Sequence, residues 1–249
     1  MGGTPLNLIK LGGSLLDDAA RRDAALKEIV ASWNAGEDVV LVHGGGKHID
    51  AQLAKLGIAK KTHAGLRVTD DATLDVVVSV LAGTVNKMLV GELAKLGVRA
   101  AGISGADGGT LLATRHPTID GVDLGHVGQV QSANVTLVKA MLTYGVLPVV
   151  SSIAATHGGA LLNVNADAAA AALAVALRAT SLRFLTDVAG VLDSRGALVP
   201  RLDVHDTRTF IDNVTGGMKP KLQAALSALT AGVTEIVIGE EGGTTLVAA

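Results

Sequence analysis

Residues 7–16, NLIKLGGSLL, predict a buried β-strand that gives way at once to a helix. The leucines and the isoleucine suit the interior of a sheet, but Lys10 stands among them. A buried ammonium group is costly unless an anion meets it. Gly12 and Gly13 follow where the strand passes into the helix. The pattern therefore predicts that Lys10 meets a negatively charged group near the end of this strand.

A repeated alternation of helix and strand extends this pattern along the chain. Helical segments end at glycines, and Gly36, Gly97, Gly145 and Gly232 each suit the left-handed position that closes a helix. The strands that follow are continuous apolar runs, which indicates burial on both faces. We therefore predict an α/β fold, a three-layer αβα sandwich with a mainly parallel open central sheet and right-handed crossovers.

Two segments depart from the alternation, THAGLRVTDD at residues 62–71 and the turn-rich stretch at residues 110–133. Both combine short β signals with turn residues, so we expect antiparallel hairpins or lids laid over the sheet edge. No low-complexity linker divides the chain. A softer boundary falls where an alanine-rich helix begins, and it separates an N-terminal lobe, residues 1–165, from a C-terminal lobe, residues 166–249.

Composition excludes several classes of protein. The chain has 249 residues and no cysteine, which excludes disulfides and thiolate metal sites. Its formal net charge is −2 and no basic tract is present, so no nucleic-acid partner is expected. We find no uninterrupted apolar stretch of about 18 residues and no signal peptide pattern, so no membrane span is expected. The simplest interpretation is a cytoplasmic protein.

Glycine clusters follow three predicted strands, in LGGS (11–14), HGGGK (43–47) and GISGADGG (102–109). In open parallel sheets, ligands bind outside the carboxyl ends of the strands. Glycine there lets backbone N–H groups approach an anion closely at the start of a helix. With Lys10 nearby, the three clusters predict a phosphate site. The spacing matches neither a P-loop, nor a GxGxxG dinucleotide motif, nor a protein-kinase catalytic loop.

The second half of the chain adds polar residues at element boundaries. Asn163, Asn165 and Asp167 precede or begin the alanine-rich helix, and taken alone they favour a helix cap. Asp187 ends another apolar strand. Lys221 follows Gly216 and Gly217 near a helix start, where the plain interpretation is a loop with solvated lysines. Only the combination favours a binding site.

That combination resembles the amino-acid kinase family, and within it the acetylglutamate branch. The matching segments are IKLGGSLL (9–16), VLVHGGGK (40–47), GLRVTD (65–70), LAGTVNK (81–87), SGADGG (104–109), LGHVG (124–128), LPVVSSIA (147–154), NVNADAAA (163–170), LTDVAGVLD (185–193) and GGMKPKL (216–222). They follow the family's order over nearly the whole chain. One departure is visible, because the family usually has Asn before GLRVTD and this chain has Ala64.

The resemblance implies phosphoryl transfer from MgATP to the γ-carboxylate of N-acetyl-L-glutamate, which gives an acyl phosphate in the second step of arginine synthesis. It places acetylglutamate binding and dimerisation in the N-terminal lobe and ATP binding in the C-terminal lobe. A carboxylate acceptor is already ionised at neutral pH, so no general base is required. Magnesium is expected to sit on phosphate oxygens and water, without a protein ligand.

Roles follow from the resemblance and from the charge of the reaction. Lys10 is expected to bridge the transferring phosphoryl group and the β-phosphate, and Lys221 to neutralise the leaving oxygens. Asp167 is expected to orient both lysines, and Arg67 to clamp the substrate's α-carboxylate. Predicted substrate contacts are Gly44, Gly45, Arg67, Asn163 and Asn165. Predicted ATP contacts are Gly12, Gly13, Asp187, Val188, Ala189, Gly190, Val191, Leu192, Asn213, Val214 and Thr215.

Alternatives remain at this stage. One is a kinase for acetyl-aminoadipate in lysine synthesis, and another is a nucleotide- or amino-acid-sensing module without catalysis. Arginine-inhibited members of the family carry an extra N-terminal helix that closes a hexameric ring. Only six residues precede the first strand here, too few for a stable helix. The expectation is therefore a C2 homodimer, joined through N-terminal lobe elements and unaffected by arginine.

Overall fold

The computed structural model describes residues 4–214, 216–239 and 242–248. The helices are α1 (Gly13–Asp17), α2 (Ala19–Asn34), α3 (Gly46–Lys55), α4 (Asp71–Val78), α5 (Asn86–Lys95), α6 (Thr136–Thr143), α7 (Ala166–Leu177), α8 (Val204–Asn213) and α9 (Met218–Thr230). The strands are β1 (Leu6–Leu11), β2 (Asp38–His43), β3 (Thr62–His63), β4 (Leu66–Arg67), β5 (Ala100–Ser104), β6 (Leu111–Arg115), β7 (Val127–Ala133), β8 (Leu147–Ser151), β9 (Ile153–Ala155), β10 (Leu161–Val164), β11 (Ser181–Leu185), β12 (Arg201–Leu202), β13 (Glu235–Ile238) and β14 (Thr244–Val247).

Eight strands form the central sheet, in the order β12-β14-β13-β11-β1-β2-β8-β5. Neighbouring strands run parallel except β13 and β14. The strand that carries Lys10 lies in the middle, between β11 and β2. Its two faces meet separate apolar cores, with Leu8 and Val42 in one and Ile9 and Leu41 in the other. The predicted three-layer, mainly parallel architecture is confirmed.

Helices close the sheet on both sides. The core that contains Leu8 also holds residues of α7 and α9, whereas the opposite core holds residues of α2, α3, α4 and α5. The glycines predicted to end helices all adopt positive φ: 87° at Gly36, 82° at Gly97, 64° at Gly145 and 102° at Gly232. Each allows the chain to turn directly from a helix into the next strand.

The first predicted lid is a tight antiparallel hairpin. β3 and β4 pair as Thr62 with Arg67 and His63 with Leu66, which leaves a two-residue loop. That loop consists of Ala64 at φ 48° and Gly65 at φ 78°. Two consecutive positive φ values define the type I′ turn that suits the twist of paired strands.

The second predicted lid differs from the expectation. β6 and β7 pair antiparallel as expected, but they belong to a larger group of strands than one hairpin. Together with β9 and β10 they form a closed four-stranded barrel in the order β10-β7-β6-β9. Closure satisfies the strand edges that a simple hairpin would leave open, which explains why the short strands stay together.

One long helix lies in the first half of the chain. Residues Asp71–Lys95 form 25 consecutive helical residues, in which a π-helical segment, Ser79–Val85, joins α4 to α5. By length and composition alone this helix could cross a membrane, and 39% of its most apolar window is buried. Val77, Leu81 and Leu89 are at most 1% exposed and belong to the core beneath the sheet. In this fold the segment serves as a layer of the αβα sandwich.

Candidate active site

Lys10 lies near the carboxyl end of the central strand and is 8% exposed. It stands in register with Val42 on one side and Phe184 on the other. Residues in register on neighbouring strands point to the same face of a sheet. Both neighbours belong to the core beneath α7 and α9, so the lysine side chain also points toward those helices.

The anion that meets Lys10 comes from the first turn of α7. Asn165 caps this helix, because its side-chain oxygen accepts hydrogen bonds from the backbone N–H groups of Asp167, at 2.8 Å, and Ala168, at 3.0 Å. The cap fixes the start of the helix and hence the position of Asp167. An Asp167 carboxylate oxygen lies 2.8 Å from Lys10 Nζ. Sequence and geometry agree that Lys10 is held by an anion.

A second ammonium group completes the cluster. Lys221 projects from α9, and its Nζ lies 3.3 Å and 3.4 Å from the two Asp167 carboxylate oxygens. The same Nζ lies 5.3 Å from the centre of the Phe184 ring, within the range of a cation–π interaction. Lys221 is 6% exposed and Asp167 is 7% exposed. Three elements, β1, α7 and α9, thus bring three charged side chains to one buried point.

The cluster has one positive charge more than it has negative charges when all three groups are ionised. Burial opposes ionisation of Asp167, but the two lysines outweigh it and hold the pKa of this carboxyl below its usual value. Burial, reinforced by the charge of Lys10, lowers the pKa of Lys221. The arrangement suits an incoming anion, because a further negative charge would relieve the repulsion between the two ammonium groups.

Two of the predicted glycine turns flank this cluster. Gly12 follows β1 and donates its N–H to Leu185 O at 2.8 Å, and a Cβ there would stand 2.8 Å from the same carbonyl oxygen. Gly13 then begins α1. Gly45 precedes α3, and a Cβ on it would meet the Leu81 side chain at 2.9 Å. A side chain at Gly12 or at Gly45 would therefore crowd these atoms.

The third glycine cluster has a different role from the predicted one. Gly105 donates its N–H to Ser151 O, and Gly109 donates to Ala106 O, so these N–H groups are already used. The Ser104 N–H bonds to the Asp107 carboxylate. A Cβ on Gly105 would lie 2.4 Å from a Leu111 methyl group. This cluster is therefore a packed turn into the barrel and offers no free phosphate cradle.

Arg67 is the last residue of β4, and the two terminal nitrogens of its guanidinium group, Nη1 and Nη2, differ in their contacts. Nη2 donates to an Asp50 carboxylate oxygen and, at 3.2 Å, to Gly46 O. Hydrogen bonds from Lys60 and Arg67 lower the pKa of Asp50, although burial opposes the shift. Within the described part of the chain, Nη1 is buried and has no hydrogen-bond partner. A buried donor without an acceptor is the state expected of a group that awaits a carboxylate.

Asn163 is linked to Arg67 through a residue that the sequence analysis did not single out. Its side-chain Nδ2 donates to Thr69 Oγ1 at 3.2 Å, and that hydroxyl donates to Arg67 O at 2.8 Å. Thr69 is fully buried. The threonine stands inside the GLRVTD motif, so the motif carried the signal, but its contact with a residue 94 positions away is visible only in the fold.

The run of predicted ATP contacts from Asp187 to Leu192 begins after β11, which lies next to β1 on the side away from β2. Asp187 follows β11, where a hydrogen bond from Ser14 lowers the pKa of its carboxyl. A surface cavity of about 520 Å³ is lined by Ser14, Asp17, Asp18, Ala19, Ala20, Arg21, Lys47 and Asp187. Val188 and Leu192 are exposed, whereas Val191 is buried.

Other predicted contacts lie outside that cavity. Ala189 is exposed, and Gly190 approaches Thr244, whose hydroxyl oxygen would lie 2.6 Å from an added Cβ. Asn213 ends α8 and Val214 follows it, while Thr215 lies outside the described residues.

A larger cavity of about 1140 Å³ is lined by residues of the β3–β4 hairpin and β7 together with residues of α7 and α9. Its walls include Leu66, Asn165, Gly217 and Lys219. Neither Lys10 nor Lys221 lines it, so the cavity reaches the neighbours of the charged cluster but not its ammonium groups. Within the described ranges, no group of three or more His, Cys, Asp or Glu side chains could hold a metal ion.

Comparison with known proteins gives one consistent result. The sequence matches the model of the amino acid kinase family over residues 5–240. It is 44% identical to the acetylglutamate kinase of Methanopyrus kandleri, with 94% of each chain covered. It is 42% identical to the acetylglutamate kinase of Solibacter usitatus, over 97% of this chain and 99% of that protein.

Solved structures agree with the sequence comparison. The crystal structure of smu.665 from Streptococcus mutans UA159 has a TM-score of 0.87 and 31% identity, and the match covers 97% of this chain and 98% of that one. The carbamate kinase of Giardia has a TM-score of 0.75 and 15% identity over the whole of both chains, which shows similarity of fold alone. Sequence and fold therefore point to the same family along nearly the entire chain.

Proposed function

The chain belongs to the amino acid kinase family, and from that membership we propose that it phosphorylates the γ-carboxylate of N-acetyl-L-glutamate. The products are N-acetyl-L-glutamyl 5-phosphate and ADP, the second step of arginine biosynthesis. The observation that carries the proposal is the buried cluster of Lys10, Asp167 and Lys221. Curated acetylglutamate kinases that match over more than nine-tenths of this chain support the choice of acceptor.

The chemistry needs positive charge more than it needs a base. The acceptor carboxylate is ionised at neutral pH, so the main obstacle is repulsion between it and a polyanionic phosphate. MgATP supplies the phosphoryl group, and we propose that its magnesium ion is held by phosphate oxygens and water. Lys10 is proposed to contact the transferring group and the β-phosphate. The Gly45 turn adds a backbone dipole beside it, whereas the Gly12 N–H is already bonded to Leu185 O.

Lys221 and Asp167 complete the charge arrangement. Lys221 approaches from α9 and would neutralise the charge that develops on the leaving phosphate oxygens. Asp167 binds both ammonium groups, so its role is to keep them apart and correctly aimed rather than to move a proton. Its lowered pKa fits this assignment, since a carboxylate that stays ionised cannot act as a general acid near neutral pH.

The acceptor is proposed to bind at the hairpin side of the cluster. The free Nη1 of Arg67 would take the α-carboxylate of the substrate, with Asp50 holding the rest of the guanidinium in place. Asn163 is tied to the same hairpin and would bind the acetylamino group together with the Gly44–Gly45 turn. The Asn165 side-chain oxygen caps α7, so only its amide nitrogen is left for a substrate contact.

The nucleotide is proposed to bind beyond β11. Asp187 and the segment that follows it lie beside the end of β1, next to the cavity that Ser14 and Arg21 line. The 2 Phe, 1 Tyr and 1 Trp of the chain offer few aromatic surfaces, so aliphatic side chains would sandwich the adenine. Val188 and Leu192 are exposed there and suit this role.

The assembly is proposed to be a C2 homodimer in the cytoplasm. β5 is the last strand of the described sheet, and its residues Ala100–Ile103 are only partly buried. An open strand edge is a template for pairing with a second copy, and isologous dimers are the commonest assembly. Light scattering at several protein concentrations would test this; a molar mass that stays near 25.0 kDa would contradict it.

A coupled assay of ADP release tests the reaction itself. The purified chain with MgATP is mixed with N-acetyl-L-glutamate, with N-acetyl-aminoadipate, or with no acceptor. Release of ADP that depends on acetylglutamate is the expected result. A preference for acetyl-aminoadipate would assign the chain to lysine synthesis, and nucleotide binding without turnover would indicate a sensing module.

Hydroxylamine distinguishes the chemical class of the product. An acyl phosphate reacts with hydroxylamine to give a hydroxamate, whereas a phosphate ester does not. Hydroxamate should accumulate in step with ADP. ADP release without hydroxamate would rule out a carboxylate acceptor.

A further inference from the structure

A hydrogen-bonded chain of buried side chains lies beneath the Gly44–Gly45 turn and takes no part in the scheme above. It begins at His43, the last residue of β2, which is completely buried. His43 stands in register with Leu11 and two residues after Leu41, so its side chain points to the face that α2, α3, α4 and α5 cover. Lys10 points to the other face. The imidazole and the reacting site are therefore separated by the sheet itself.

The partners of Asn86 determine its orientation. Its Oδ1 accepts a hydrogen bond from Lys87 Nζ at 3.0 Å. Its Nδ2 lies 3.0 Å from Val149 O and 3.4 Å from Ile103 O, both of which can only accept. The same Nδ2 lies 3.1 Å from His43 Nε2. Nδ2 has two hydrogens, and its two nearest acceptors are Val149 O at 3.0 Å and His43 Nε2 at 3.1 Å, so Nε2 is the accepting, unprotonated nitrogen of the ring.

This orientation defines the tautomer of His43. A neutral imidazole that accepts at Nε2 carries its proton on Nδ1. His43 Nδ1 lies 2.9 Å from Gly44 O, so the Nδ1–H donates to that carbonyl. Burial lowers the pKa of His43 to about 4, which agrees with a ring that stays neutral.

The hydrogen bond from His43 holds the Gly44 carbonyl and thereby fixes the orientation of the Gly44–Gly45 peptide. In a trans peptide, the C=O of one residue and the N–H of the next point in opposite directions. The Gly44 carbonyl points to His43 on one face of the sheet, so the Gly45 N–H points toward the other face, where Lys10 and Asp167 lie. Gly45 also caps α3, and the first N–H groups of a helix have no intrahelical acceptor.

We propose that His43 is a positioning residue, which holds the Gly44–Gly45 peptide so that the Gly45 N–H donates to the transferring phosphoryl group. The inference rests on the proposed kinase function. His43 neither touches substrate nor moves a proton in this scheme, because Nε2 is occupied by Asn86 and the ring lies behind the sheet. Asn86 acts through His43, because its hydrogen bond to Nε2 selects the tautomer whose Nδ1–H can donate to Gly44 O.

Two substitutions of similar size and polarity separate this role from simple packing. His43→Asn places an amide nitrogen near the position of Nδ1 and keeps a donor for Gly44 O. His43→Gln places its amide near the position of Nε2 and keeps the contact with Asn86, but loses the donor to Gly44 O. We expect His43→Gln to lower kcat about tenfold or more with both KM values within about twofold of wild type, as for a weakened transition-state donor. His43→Asn should recover kcat to within about threefold.

Stability is measured for the same variants. Both changes alter a buried network, so both should lower the melting temperature by similar amounts. Ile29→Val in α2, a buried apolar position that makes none of these hydrogen bonds, serves as a destabilised control and should keep wild-type kcat. Equal losses of kcat in His43→Asn and His43→Gln, or losses that follow melting temperature alone, would overturn the proposal.

Nitrogen-15 NMR of imidazole-labelled wild-type protein examines the tautomer without any assay of activity. The spectrum should contain one histidine, missing in His43→Gln, whose Nε2 resonates as an unprotonated nitrogen and whose Nδ1 is protonated at neutral pH. An Nε2-protonated ring at position 43 would overturn the inference even if the enzyme is an active acetylglutamate kinase. Conversely, a wild-type chain that lacks kinase activity but shows this tautomer would contradict the proposed function and leave the hydrogen-bond geometry intact.

Discussion

Lys10 Nζ and an Asp167 carboxylate oxygen are 2.8 Å apart, with side-chain exposures of 10% and 9%. An ion pair removed from water to this degree loses most of the hydration of both charges, and it is retained only where its geometry is useful. Here the pair is joined by Lys221 at 3.3 Å, which leaves the group one positive charge in excess.

Loss of either ammonium group should slow the chemical step. Lys10→Ala and Lys221→Ala are each expected to lower kcat by roughly 10² or more with smaller changes in acceptor KM, because each charge acts mainly on the transition state. Steady-state kinetics with ADP detection measures the effect. Lys219→Ala, which removes an exposed lysine from the same helix, is the matched control and should change kcat little. A near wild-type kcat in either active-site variant would contradict the charge scheme.

Loss of the carboxylate should affect folding as well as turnover. Asp167→Asn leaves two buried ammonium groups without an anion, and the free energy of unfolding should fall by about 3–5 kcal/mol. Urea denaturation measures it, with Glu28→Gln at a half-exposed ion pair as a control that changes stability by less than about 1 kcal/mol. ATP should raise the melting temperature of Asp167→Asn more than that of wild type, since phosphate replaces the missing charge. An equal or smaller shift would argue against phosphate binding beside the lysines.

Arg67 should act on the acceptor alone. Arg67→Ala removes the free Nη1 donor, so KM for acetylglutamate should rise about tenfold or more while KM for ATP stays nearly constant. Arg67→Lys should recover little, because an ammonium group cannot hold Asp50 and a carboxylate in the same fork geometry. Arg99→Ala, at an exposed position, is the control. A loss confined to ATP affinity would move Arg67 to the nucleotide site.

Ala64 has an unfavourable backbone conformation, and a substitution can relieve this strain. It adopts φ 48° at the first position of a type I′ turn, a conformation that Asn tolerates and Ala does not favour. Ala64→Asn should raise the free energy of unfolding by about 1 kcal/mol and change kcat little. Chemical denaturation of the two proteins measures the difference. Gly65→Ala, at φ 78° in the same turn, should do the opposite, and an equal response to both changes would show that the turn is not type I′ in solution.

Acid should destabilise the chain through His43. Its pKa is about 4 when folded and 6.5 when unfolded, because burial, with smaller contributions from the charges of Lys87 and His48, disfavours the protonated ring. The unfolded chain therefore takes up a proton first, so this contribution is complete above pH 6.5 and falls by about 1.4 kcal/mol per unit between pH 6.5 and 4. The free energy of unfolding measured across this range should show the slope. His43→Asn cannot titrate there, and an unchanged slope in that variant would assign the effect to another group.

Local sequence patterns predict much of this fold. The helix-ending glycines, the apolar strands and the Asn165 cap are each determined by a few neighbouring residues, and the structure places them as the patterns indicate. The misplaced lysine of β1 likewise indicated a buried anion, because the cost of an unpaired charge does not depend on where the partner lies in the sequence.

Contacts between residues far apart in the chain could not be predicted from local sequence patterns. The pairing of Asn86 with His43, the bond between Asn163 and Thr69, and the role of Asp50 beside Arg67 each join residues that no local period relates. Closure of the small barrel also depends on β6 meeting β9, some 40 residues later, which a hairpin pattern does not encode. The motifs therefore predicted that Lys10, Asp167 and Lys221 come together, whereas the contacts with distant side chains that support the site were not predictable from the sequence.

The position of β1 in the sheet has a consequence for how the protein is made. Asn7 pairs with Ser181, 174 residues further along the chain. At about 5–20 residues per second on the ribosome, the central strand waits roughly 10–35 s for its second neighbour. Throughout that interval one apolar strand edge stays open to pairing with other chains. The Lys10 strand is therefore synthesised well before both of its neighbours in the sheet are present.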